Sequence, residues 1–288
     1  MGSTDSHSRT DALLRVTLGT AAAISVVAVL SIFAFLVYFS LPVFSAEGAR
    51  QVLSWDWQPL QGSFGILPMV VGSLVLATFA VALAFPAAVL VCAFAYGVGP
   101  ARLARPVMAV INLMTGIPTI VYAFVAVMTI PPLLRDIFEQ GSGFALLGAA
   151  VTLAVLVLPT IVLVIDSNWR GLAPRTSEAC ASLGMSPVQH VFGVLVPVSG
   201  SALLSALVLG FGRALGDTMI ALMLTGNAPL LPTSALGSIR ALTAHIGMVM
   251  ATAVGGPAHQ SVFASGLILL LVTGTISALV RRSVRLEA

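Results

Sequence analysis

Long apolar runs separated by short polar ones set the plan of this chain. Six stretches are apolar over the roughly 20 residues that a helix needs to cross a hydrocarbon core. They cover approximately 13–41, 64–96, 106–134, 144–165, 198–224 and 262–280. A lipid-exposed backbone must satisfy its own N–H and C=O groups, so each run predicts a membrane-spanning helix, the alternative being a closed barrel. The second and third runs are long enough to tilt or to begin in the interface. Pro68, Pro86, Pro118 and Pro159 fall inside runs, where each frees a backbone carbonyl and invites a kink. Such kinks shape a pathway in some bundles and are inert in others.

Two polar intervals interrupt the pattern. The stretch 167–197 is too long for a simple connection and carries its own helix signals. Glu178 to Leu183 are good helix formers ended by Gly184, Ser186 caps a second helix with Pro187 at its first position, and Pro197 marks the return to the membrane. The expectation is two short helices joined by a turn. Glu178 followed by Ala179, Cys180 and Ala181 gives a low-relief surface with one charge, suited to a groove on a partner protein. The interval 226–261 is also long; its middle, 235–254, is apolar enough for a short helix between Pro232 and Gly255-Gly256-Pro257.

Composition agrees with a polytopic membrane protein. Of 288 residues, 58% are hydrophobic and 8% charged, with a mean hydropathy of +1.07, which no soluble domain of this size could enclose. All 13 basic residues are arginine. Nine of them (Arg9, Arg15, Arg102, Arg105, Arg170, Arg175, Arg281, Arg282, Arg285) fall on one side of a six-span arrangement and three (Arg50, Arg135, Arg240) on the other. The positive-inside rule then places both termini and the loop 167–197 in the cytoplasm. The basic balance is thus one of membrane anchoring and gives no argument for nucleic acid. The apolar run near the N-terminus exceeds a cleaved signal peptide and is expected to be a retained span. Trp55 and Trp57 are expected at the outer interface, and Asp166 and Asn168 in solvent where the fourth span ends.

Candidate chemistry is sparse. Four scattered histidines and two cysteines, Cys92 and Cys180, show no metal spacing, and no phosphate-binding loop is present, so energy must come from a partner or a gradient. The costly residues are Arg213 and Asp217, four apart in the fifth run and so on one helix face. A charge at that depth costs at least about 2.5 kcal/mol and normally faces a bundle interior or water. Two readings stand: the pair neutralises itself and pins helices, or the arginine fork serves a translocated oxyanion beside an aspartate that tests for a proton. Gly212 and Gly216 would admit another backbone closely. Thr115 and Pro118, in Thr115-Gly116-Ile117-Pro118-Thr119, are candidates for pathway lining, as is Thr218.

These residues resemble a family. Glu178, Ala179, Gly184, Val194, Val196 and Pro197 match the E-A-A-x3-G-x9-I-x-L-P signature of ABC importer permeases, with Cys180 replacing the third residue. Phe64-Gly65-Ile66-Leu67-Pro68, Gly116 to Tyr122, Leu158-Pro159-Thr160, Arg240 to Ala244 and Gly212 to Met219 are similar to phosphate (Pst-type) permeases, in their C-type more than their A-type form. Asp217 stands where that family has glutamate. The resemblance, over approximately 60–282, implies an all-α, six-span, type I ABC importer permease fold. It divides the chain into an N-terminal tail (1–12), a first span with its outer loop (13–63), a permease domain (64–282) with the coupling loop 167–197, and a C-terminal tail (283–288). It further implies a non-catalytic, multi-pass subunit of the bacterial inner membrane, paired with a homologous permease. Two ATPase subunits would hold ATP–Mg and an extracytoplasmic phosphate-binding protein would deliver substrate, with no cofactor in this chain. Glu178, Ala179, Cys180, Gly184, Ser186, Pro187 and Pro197 would couple to the ATPase; Arg213, Asp217, Thr218, Thr115 and Pro118 would line the path. A sulfate or molybdate permease, and a secondary anion carrier working without an ATPase, are the alternatives.

Overall fold

The structure, a computed structural model, describes residues 4–139, 141–253 and 255–286. Its helices are α1 (Thr4–Ser40), α2 (Ala46–Val52), α3 (Leu67–Ala93), α4 (Ala101–Thr115), α5 (Thr119–Phe138), α6 (Leu146–Ser182), α7 (Pro187–His190), α8 (Val196–Val198), α9 (Gly200–Gly216), α10 (Met219–Leu224), α11 (Leu242–Thr252) and α12 (Gly256–Leu286). A two-residue hairpin, β1 (Trp57–Gln58) with β2 (Ser63–Phe64), lies between α2 and α3. The outermost residues of the two expected tails, 1–3 and 287–288, lie outside the described residues.

Among the described residues, five helices are long and apolar enough to span a membrane: 14–40, 67–98, 119–138, 146–182 and 256–278. A sixth span forms if Pro187–Val198 and Gly200–Gly216, bent by 75° at Ser199, are counted together. The six apolar runs are therefore present, but two are not single helices. The third breaks at Gly116–Pro118, because proline disfavours helical backbone at the residue before it; α4, with 15 residues, is too short to cross. The fifth breaks at Asp217, whose backbone is extended (ψ 127°).

α6 lies at the centre. Its 37 residues span about 55 Å at 1.5 Å per residue, well beyond a ~30 Å hydrocarbon core. It runs unbroken through Pro159 and Pro174 to Ser182, so the expected first short helix of the docking loop is instead the last part of this one. A fall in hydropathy marks where a helix leaves the membrane; the backbone ladder does not stop there. Ala77, Ala80, Ala84 and Ala88 of α3 are all buried in the cluster with Ala149, Ala150, Leu153, Val157 and Ile161 of α6. Small residues at helical spacing let the two backbones come close, which is how helices gain contact in a solvent as apolar as themselves. α9 packs against both. α1 is peripheral: none of its apolar window is buried, and it leans on α12 through Phe35 and Phe39 against Phe263.

At one end of the bundle a second buried cluster of Val43, Val52, Ile66, Met69, Leu242 and Ala264 seats α2 and the hairpin on α11 and α12. α11 is the short helix expected in 226–261. The half-buried Trp57 ring meets the fully buried His245 edge-on at 4.3 Å. Trp55 remains exposed.

Candidate functional site

The break between α9 and α10 carries the first candidate site. α9 ends at Gly216, and the chain must satisfy the orphan donors of α10 before helix resumes. Asp217 does so: its Oδ2 accepts from the Ile220 N–H at 2.8 Å. The Asp217 carbonyl accepts from the Thr243 hydroxyl of α11 at 2.9 Å, which ties the break to the neighbouring helix. The carboxylate therefore shapes the backbone where the helix restarts.

Arg213, one turn earlier, is exposed on the open face of the chain. It makes no ion pair with Asp217: among the described residues the ion pair is Arg170–Asp166. The two charges stand close enough to attract across the recess without touching. A recess of about 270 Å³ lies here, lined by Thr119, Leu156, Arg213, Gly216, Asp217, Thr218 and Met219. That is several times the ~30 Å³ a water molecule takes in the liquid, and so is large enough for a small hydrated anion. Thr119 is the first residue of α5, whose positive end thereby borders the recess.

Of the expected pathway residues, Arg213, Asp217 and Thr218 come together. Thr115 and Pro118 are not in the lining: Thr115 is exposed and donates to the Asn112 carbonyl at 2.7 Å, while Pro118 caps α5. Thr119, Leu156 and Met219 take part instead. Thr119 could have been found from the break that Pro118 forces, since the residue after it starts a helix. A Cβ on Gly212 or Gly216 would meet nothing within 4 Å, so among the described residues no other backbone packs on the side-chain position of either glycine.

The loop 183–186 forms the second site. α6 stops in a left-handed turn at Gly184 (φ 72°), with Met185 N–H bonding the Cys180 carbonyl and Gly184 N–H the Ala181 carbonyl. This paired closure satisfies the last carbonyls of the helix and favours glycine at the turn. Ser186 and Gln189 then cap α7 reciprocally, at 3.3 and 2.8 Å, with Pro187 at its start. Glu178, Ala179, Gly184, Ser186, Pro187 and Pro197 are exposed. Cys180 is buried, so it supports the surface from below and is not part of it. His190 is also buried, its Nε2 2.7 Å from the Thr176 hydroxyl.

Beneath this loop lies a polar cluster unforeseen in the sequence. Asp166 is not solvated: it is 4% exposed, and its Oδ1 accepts from the Tyr96 hydroxyl at 2.7 Å while Oδ2 takes Nε of Arg170 at 2.9 Å. Asn168, by contrast, is exposed. Trp169, fully buried, donates from Nε1 to the Ser199 hydroxyl at 2.8 Å.

The family model for the binding-protein-dependent transport system inner membrane component matches residues 88–286. A probable ABC transporter permease of Bacillus subtilis, YqgH, is 28% identical, covering 93% of this chain and 88% of its own. The phosphate transport system permease PstC of Mesorhizobium japonicum is 26% identical over 94% of this chain and 89% of its own. Among solved structures, an inward-facing MetNI methionine ABC transporter chain aligns with a TM-score of 0.62 at 21% identity, over 81% of this chain and all of that one. A chain of a bacterial ABC transporter for alginate import aligns at 0.55 and 15% identity, covering 94% of this chain and 98% of that one.

Proposed function

The chain belongs to the family of binding-protein-dependent transport system inner membrane components and is the permease subunit of an ABC importer; from that premise we propose that it moves inorganic phosphate. The observation that carries the reading is Arg213, without an ion pair among the described residues, at a break in the membrane helix, with Asp217 lining the same recess. A guanidinium in that position offers a fork of donors to a tetrahedral oxyanion. An ionised aspartate repels a fully deprotonated oxyanion and accepts a hydrogen bond from one that keeps a proton, as phosphate does near neutral pH and sulfate does not. The phosphate permeases among the relatives support the same substrate.

The recess is open on one side, and an apolar groove of about 350 Å³ between α5 and α6, lined among others by Val121, Val125, Val151 and Val155, runs along the neighbouring surface. Both fit a homologous permease subunit closing the path. The loop around Gly184, with Glu178, Ala179 and Pro187 exposed, fits a cleft on an ATPase that supplies ATP–Mg hydrolysis, one copy for each permease. An extracytoplasmic binding protein delivers the anion at the opposite end. The arginine distribution supports the docking loop and both termini on the cytoplasmic side of a bacterial inner membrane.

Uptake of labelled phosphate by the reconstituted importer tests the substrate. Arg213→Ala, in complexes that assemble normally, is expected to lose uptake by at least tenfold, because a charge-assisted contact to the anion is gone. Undiminished uptake by that variant would take Arg213 out of the path. Competition by sulfate or molybdate equal to that by phosphate would instead make the chain a general oxyanion permease. A gradient-driven carrier, the remaining alternative, would take up phosphate without ATP.

A further inference from the structure

α9 carries Arg213 at its far end and the bend at Ser199 at its near end, so the angle of that bend decides where the recess residues sit. The bend has local causes: Pro197 in the preceding turn, Ser199 itself off helical geometry (φ −94°, ψ 22°), and Gly200 after it. None of these fixes an angle on its own. Fixation comes from outside the segment. Trp169 of α6 donates Nε1–H to the Ser199 hydroxyl at 2.8 Å, and that hydroxyl donates in turn to the Leu195 carbonyl at 2.6 Å. One side chain is thereby held by α6 and by the turn before the bend.

Trp169 is itself held. Its ring meets Tyr96 edge-on at 5.8 Å, and Tyr96 is locked by its bond to Asp166, which Arg170 pairs from the other side. Tyr96 belongs to a π-helical turn, Phe94–Val98, that ends α3. In the same turn Gly97 lies against α7: a Cβ there would come within 2.9 Å of Val191 and 3.1 Å of the Pro187 carbonyl oxygen. A second π-helical turn, Val191–Leu195, follows α7 directly. An unbroken set of contacts thus leads from the docking helix through the end of α3 to α6, and from α6 to the bend.

We propose that Trp169 is a positioning residue that, through Ser199, sets the angle between α7–α8 and α9 and so carries movement of the docking loop to the Arg213 recess. The proposal rests on the reading of the loop as an ATPase-docking surface. A buried indole N–H needs some acceptor; what gives this one a role in transport is that its acceptor is the hinge.

Trp169→Phe removes the N–H and keeps most of the packing, and Ser199→Ala removes the acceptor from the other side. In the reconstituted importer both are expected to retain ATPase co-purification and binding-protein-stimulated hydrolysis, while inorganic phosphate moved per ATP falls about tenfold. Ser199→Thr, which restores a hydroxyl, is expected to recover most of it. A ratio unchanged from wild type in both variants, or one that falls only with the amount of assembled complex, overturns the proposal. A substrate-independent readout uses spin labels at Val188→Cys and Leu209→Cys, both exposed and on opposite sides of the bend, with Cys92 and Cys180 replaced. The distance distribution across the bend is expected to be narrow in that chain and broad with Trp169→Phe added; equal widths overturn the hinge role. Loss of ATPase co-purification in Trp169→Phe would also count against it. Failure of the docking reading shows separately, as normal co-purification and uptake by Gly184→Val.

Discussion

Asp217 serves two ends with one side chain: Oδ2 caps the restart of the helix at Ile220, and the residue also lines the recess. Asparagine caps as well as aspartate does, so Asp217→Asn is expected to keep the break and lose only the charge. The amide no longer repels a fully deprotonated oxyanion, and the preference for phosphate over sulfate is expected to shrink by about tenfold, the worth of one charge-assisted hydrogen bond. Competition of sulfate against labelled phosphate uptake measures it; an unaltered preference would remove the proton-sensing role. Arg213 and Asp217 were legible because a charge in an apolar run is expensive and therefore conspicuous. Their lack of a mutual ion pair was not, since spacing of four assumes a helix that ends at Gly216. Tyr96 and Asp166, 70 residues apart in the chain, and Trp169 and Ser199, 30 apart, could not be paired from sequence.

Turn chemistry was the most readable part of the elements. The Gly184 stop, the Ser186 cap and Pro187 at the first position of α7 all stand where local rules put them. Gly184 has no neighbour within 4 Å of an added Cβ, so its constraint is conformational and not steric. A β-branched residue at φ 72° costs on the order of 1–2 kcal/mol, and Gly184→Val is expected to displace α7, with ATPase co-purification falling about tenfold. Gly184→Asn, which tolerates the left-handed region, is expected to retain most of it. Equal retention by the two variants would show that this turn does not set the docking surface. Helix length was harder to read than helix ends. The continuity of α6 to Ser182 escaped notice because hydropathy reports solvent, and a helix continues into water wherever its hydrogen bonds and side-chain packing continue.

At the scale of the whole chain, the six apolar runs gave the right class of fold and very nearly the right spans, and missed that breaks at 116–118, at Ser199 and at 217–218 cut two of them. The breaks matter more than the count, since the recess sits at one and the docking segment turns at another. Hydropathy sums over a window and is insensitive to a single proline or serine within it. The structure places the docking loop and the loop after α10 at opposite ends of the bundle, and arginine alone decides which end is cytoplasmic. Ala181 in the first and Thr233 in the second are both exposed, and the two native cysteines are buried, so single cysteines at these positions report sidedness. In right-side-out vesicles a membrane-impermeant thiol reagent is expected to label Thr233→Cys and spare Ala181→Cys until the membrane is opened; in inverted vesicles the order reverses. Labelling of Ala181→Cys in intact right-side-out vesicles would put the docking loop outside, away from any source of ATP. The arginines would then have to be explained by something other than the positive-inside rule, and the coupling of this permease to an ATPase would fail with it.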